Sequence, residues 1–120
     1  MLCSEDDEIS AGVNIGDGFV VGNSRGELQH YNSDCNVRWS RQGHEGEVRQ
    51  IMYDSMNRLM FSLGADGRII AWPERNTQAE QERKTITFRR KQVGFMRLST
   101  RNTLLAVGNF QDKELTIWNY

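Results

Sequence analysis

Gly43-His44-Glu45-Gly46-Glu47-Val48 and, after a short β-like run, Ser62-Leu63-Gly64-Ala65-Asp66-Gly67-Arg68-Ile69-Ile70-Ala71-Trp72 form the stretch whose reading decides the fold. Asp66-Gly67 suits a tight hairpin turn, because glycine accepts the positive φ that such turns require. Apolar residues fill the positions on either side, the mark of strands with little contact with water. A histidine, a hydroxyl, a carboxylate and an indole within one such unit can satisfy one another in a site that excludes solvent, since ring N–H groups need acceptors when buried.

The same arrangement recurs in weaker form on both sides. Val21 to Tyr31 (VGNSRGELQHY) falls on Ser62 to Trp72 (SLGADGRIIAW), and both resemble Ala106 to Trp118 (AVGNFQDKELTIW) with a small insertion. A period of about 40–45 residues closing on an aromatic is that of four-stranded propeller blades, which stack because one blade cannot bury both of its faces alone. Strands are expected at Gly18 to Gly22, Glu27 to Tyr31, Asn36 to Ser40, Glu47 to Met52, Arg58 to Leu63, Arg68 to Trp72, Lys84 to Arg89, Gln92 to Leu98, Thr103 to Gly108 and Glu114 to Trp118. The polar stretch from Thr77 to Lys84 reads as a solvated loop. The expected architecture is all-β: a single segment over residues 1–120, a partial propeller of about three antiparallel blades with units near 9–42, 43–76 and 77–120.

The middle unit resembles a WD repeat from end to end. In that family a His, a Ser or Thr, a turn Asp and a Trp form a hydrogen-bonded tetrad, which the resemblance places on His44, Ser62, Asp66 and Trp72. The first unit carries Arg25 and Tyr31 in place of the Asp and Trp; the third keeps Asp112 and Trp118 but lacks the Gly-His opening. Within the WD class, Gly43-His44, Glu47-Val48, Tyr53-Asp54, Ser62, Gly64 and Asp66, with Met96-Arg97, Ser99, Leu105-Ala106 and Gly108-Asn109, resemble the Eed or extra-sex-combs subunits of polycomb repressive complex 2. That resemblance implies a non-catalytic, nuclear chromatin regulator that holds a methyltransferase subunit and reads histone methyl-lysine. It places one cage aromatic at Phe95, with Gly94 standing where that family has a tryptophan.

Other chemistry is poorly provided for. With only two histidines, nucleophilic catalysis has few bases to draw on. His44, Ser62 and Asp66 could be taken for a catalytic triad, but the repeat explains the same residues as cement, and no catalytic residue and no cofactor is expected. His30 reads as a packed or surface residue, and Cys3, Cys35, His30 and His44 lack the paired spacing of a zinc site. Gly16-Asp17-Gly18 is a turn, without the lysine and helix of a phosphate-binding loop.

The 15 Lys and Arg against 16 Asp and Glu give a net charge of −1, which selects neither nucleic acid nor membrane as a partner. The charges are unevenly spread. Seven acidic residues and the single Arg25 lie between Met1 and Asp34, whereas seven basic residues and no acidic one lie between Arg83 and Arg101. Arg89, Arg90 and Lys91 are thus candidates for contact with an acidic partner. Two cysteines and no signal-like opening lead to the expectation of an intracellular, reducing setting, cytoplasm or nucleus. The expected role is a protein-binding scaffold. Three blades do not close a ring, so further blades of a longer chain, or a second copy meeting head to tail through the opposite charges, would have to complete it.

Overall fold

The computed structural model describes residues 8–16, 18–73, 84–87, 95–99, 104–109 and 114–119. They form eleven strands: β1 (Ile9–Ile15), β2 (Gly18–Asn23), β3 (Glu27–Tyr31), β4 (Val37–Gln42), β5 (Val48–Asp54), β6 (Leu59–Gly64), β7 (Arg68–Pro73), β8 (Lys84–Thr87), β9 (Phe95–Ser99), β10 (Leu104–Asn109) and β11 (Glu114–Asn119). All pairings are antiparallel and join neighbours in sequence, giving the sheets β1-β2-β3-β4, β5-β6-β7-β8 and β9-β10-β11.

Ten strands fall where the sequence pattern expects them, to within three residues at either end. The exception is β1, absent from the expected set. Its alternation of Ile9, Ala11, Val13 and Ile15 has the period of a half-buried strand, diluted by small residues and Gly12 between them. A second difference concerns the boundary at residue 76. β8 pairs with β7, with Ile69 opposite Ile86, so Lys84–Thr87 belongs to the middle sheet and not to the 77–120 unit. The sequence period counts from tetrad to tetrad, whereas a sheet is counted from its first strand to its fourth. Cys35 lies in the β3–β4 turn at φ 64° and is disulfide-bonded.

The sheets stack face to face through two apolar layers, and strand alternation sorts the middle sheet between them. Met60, Ile70 and Trp72 face the first sheet and pack with Ile15, Val20, Leu28, Val48 and Ile51. Phe61, Leu63 and Ile69 face the third sheet and pack with Met96, Leu105 and Val107. Burial on both faces explains why β6 (LMFSLG) and β7 (RIIAWP) read as nearly continuous apolar runs. Each fully buried aliphatic or aromatic side chain contributes about 1.5–3 kcal/mol.

Polar ties fix the stacking. The Gln50 side-chain amide donates to the Met96 carbonyl (2.9 Å) and accepts from the Met96 N–H (3.0 Å), joining the second sheet to the third. Ser10 Oγ donates to the Val48 carbonyl and joins the first sheet to the second. Because Gln50 saturates both backbone groups of Met96, whose side chain is buried, Gln50→Ala is expected to destabilise the chain by about 1–3 kcal/mol. Urea denaturation reads that loss, and amide exchange at Met96 should accelerate; an unchanged midpoint would show that the tie is idle.

Candidate functional site

The segment that leaves β4 crosses from the first sheet to the second and carries His44. Its backbone is held by the β2–β3 hairpin: the N–H groups of Gly43 and His44 both donate to the Gly26 carbonyl (3.0 and 3.1 Å), and Gln42 Nε2 donates to the carbonyls of Arg25 and His44 (2.8 Å each). Gly26 has φ +88°, and a Cβ there would lie 2.0 Å from the His44 carbonyl oxygen. Only glycine allows this approach.

From that anchor the imidazole reaches the middle sheet. Its Nε2 lies 2.8 Å from Ser62 Oγ and its Nδ1 lies 3.1 Å from Asp66 Oδ1, while Trp72 Nε1 donates to Ser62 Oγ at 2.9 Å. An indole N–H can only donate and an ionised carboxylate can only accept, so Ser62 accepts from Trp72 and the His44 ring proton is on Nδ1, donated to Asp66. The bare Nε2 of the neutral ring then accepts the Ser62 hydrogen. The structure thus brings His44, Ser62, Asp66 and Trp72 into one line of hydrogen bonds. Ser62 is fully buried, and His44 and Trp72 are 2% and 7% exposed.

Asp66 completes the line at the hairpin. Its carboxylate also accepts from the N–H groups of Glu45 (2.9 Å) and Arg68 (3.1 Å). Burial pushes this carboxyl upward, but the two backbone N–H groups and the His44 ring outweigh it and hold Asp66 below its ordinary value of 3.8. Gly64 makes room for the pair, since a Cβ there would meet His44 Nδ1 at 2.3 Å and Asp66 Oδ1 at 2.7 Å.

The β2–β3 hairpin shows what replaces this arrangement. Asn23 sits where Gly64 sits, 41 positions earlier in the overlay, and is buried. Its Oδ1 accepts from the N–H groups of Arg25 (2.9 Å) and Glu27 (3.0 Å), so it serves Glu27 as Asp66 serves Arg68. Sequence reasoning missed Asn23; the signal is an Asx side chain at the first position of the turn, two residues before the N–H of Arg25 that it caps. In the third sheet the half-buried Phe95 ring covers Gly108, where a Cβ would lie 2.2 Å from Phe95 Cζ. Arg89, Arg90 and Lys91 lie outside the described residues, as do Gly94 and Asp112.

A second feature joins the first two sheets at their other end. A cleft of about 190 Å³ opens beside Trp39, Tyr53 and Trp72, with His30, Arg38 and Arg41 along it. The Trp39 and Trp72 rings stack at 6.5 Å between centroids and 21° between planes, and His30 tilts against Trp39 at 5.7 Å. None of these neighbours was singled out from the sequence apart from Trp72 and His30.

Compared with solved structures, the chain matches one from the mitotic checkpoint complex with a TM-score of 0.79 and 17% identity over 97% of its own length. It matches the Cps50 (Swd1) β-propeller domain of Myceliophteria thermophila with the same score and 16% identity over 92%. The fold is that of consecutive β-propeller blades. The chain spans 35% and 39% of those two chains. No protein-family model and no curated protein matches the sequence.

Asp66→Ala is expected to strand the Glu45 and Arg68 N–H groups and the imidazole, at a cost of about 1–3 kcal/mol. The lowered Asp66 value adds a pH signature. The stability that its ionised form contributes is complete above the unfolded value, 3.8, and is lost as pH falls through the still lower folded one. The stability gap between the wild-type chain and Asp66→Asn, measured by denaturation, should therefore narrow in acid. A gap that widens below pH 4 would contradict the assignment.

Proposed function

We propose that this chain is a non-catalytic, protein-binding scaffold of the WD-repeat type. The observation that carries the reading is the commitment of its most chemically capable residues to structure. Ser62 Oγ is buried and engaged by both Trp72 and His44, so no substrate carbonyl can reach it, and His44 links two blades, by its ring to the second and its backbone to the first. A triad needs an exposed nucleophile beside an oxyanion pocket; here the hydroxyl lies at the centre of a packed layer.

The fold supports the same reading. Propeller blades present strand edges and end loops on a rigid frame, and the similar structures include a chain of the mitotic checkpoint complex, a multi-protein assembly. In an intracellular setting, further blades of a longer chain would close the ring, with head-to-tail pairing of two copies as the alternative. The narrower role of a chromatin-regulator subunit, with histone or methyltransferase partners, is supported by the sequence around His44 and Met96. The one cage aromatic it places here, Phe95, lies over Gly108.

The reading is tested in two steps. Proteins retained by the immobilised chain from an extract of its own cells, once purified, should rebind it with fixed stoichiometry and should fail to bind a heat-unfolded control. Hydrolysis of p-nitrophenyl acetate should be the same for the wild-type chain and Ser62→Ala, with folding of both checked by circular dichroism. Turnover that disappears in a folded Ser62→Ala variant would replace the scaffold with an enzyme.

A further inference from the structure

Resting on the scaffold reading, we infer that the cleft between the first two sheets is a docking site for an acidic segment of a partner protein that also carries an aromatic or aliphatic side chain. The cleft belongs wholly to blades present in this chain, so no missing blade is needed to form it. β3 and β4 supply His30, Arg38, Trp39 and Arg41 on one side; β5 and β7 supply Tyr53 and Trp72 on the other.

Two properties define the occupant. The walls are aromatic and stacked, and Trp39 and Tyr53 are half-buried at the edge of the apolar layer, which suits an apolar side chain inserted between the sheets. The charges along the cleft have one sign: Arg38 and Arg41 line it and no Asp or Glu does, among the described residues. Arg38 is exposed and forms no ion pair among those residues. An arginine at an aromatic rim can take a carboxylate through two parallel N–H bonds. A cationic ligand such as methyl-lysine, which aromatic walls alone would favour, is repelled by the two guanidinium groups. A nucleic-acid strand is disfavoured by the cleft's small volume and by the lack of a basic track, with two arginines along it.

The probes are the peptides acetyl-GFDEFG-amide and acetyl-GFKKFG-amide and an eight-residue oligothymidine, each titrated into the whole chain while the indole N–H signals of Trp39 and Trp72 are followed by NMR. The acidic peptide should shift both indoles and bind at least about tenfold more tightly than the lysine peptide, with the preference weakening as salt rises. Arg38→Glu, at an exposed position that leaves the fold intact, should abolish or reverse the preference. Equal or tighter binding of the lysine peptide would overturn the proposal, as would tighter binding of the oligothymidine, shifts that miss both tryptophans, or no binding of the acidic peptide at millimolar concentration. Each of these outcomes leaves the scaffold reading standing on the rebinding of its own partners.

Discussion

The line of hydrogen bonds from Trp72 through Ser62 and His44 to Asp66 is the constraint on which the packing of the first two blades depends. It begins in the apolar layer between the sheets and ends at the hairpin after β6. His44 is also tied by its backbone to Gly26 in the β2–β3 hairpin. One residue therefore fixes the crossing segment to both sheets at once, by its backbone to the first and by its imidazole to the second. A buried indole and imidazole without acceptors would each carry a desolvation penalty; in series they satisfy each other, and only the carboxylate at the end remains partly open to water.

What could be read from the sequence follows from how far residue type restricts chemistry. His44, Ser62, Asp66 and Trp72 were legible through the resemblance of the middle unit to a WD repeat, and the strand limits around them followed from turn residues such as Asp66-Gly67. β1 was not legible, because Ala11, Gly12 and other small residues blur its alternation. Nor was the capping role of Asn23, since an asparagine near a turn serves many ends. The sheet to which Lys84–Thr87 belongs was assigned to the wrong unit because a repeat period does not reveal where a sheet begins. Arg38 and Trp39 lie on β4 and Tyr53 on β5, in different blades, and only stacking brings Tyr53 beside the other two.

The division of labour between blades bears on function. The middle blade, buried on both faces, is spent on stability: its hydroxyl, imidazole and both apolar faces are committed. Recognition falls to what surrounds it, the ends of the sheets and the seams between them. The cleft beside Trp39 and Trp72 is walled by strands of two packed sheets, and a wall already formed keeps the cost of ordering on binding small.

The direction of the hydrogen bonds gives the most direct test of this account. The structure requires the His44 proton to reside on Nδ1, facing Asp66, with Nε2 accepting from Ser62. Long-range proton–nitrogen NMR of the imidazole ring distinguishes the two tautomers. The account predicts the Nδ1–H form, with a slowly exchanging ring proton that is lost in Asp66→Ala. An Nε2–H tautomer, or a His44 ring proton that exchanges as fast as that of a solvent-exposed histidine, would contradict it.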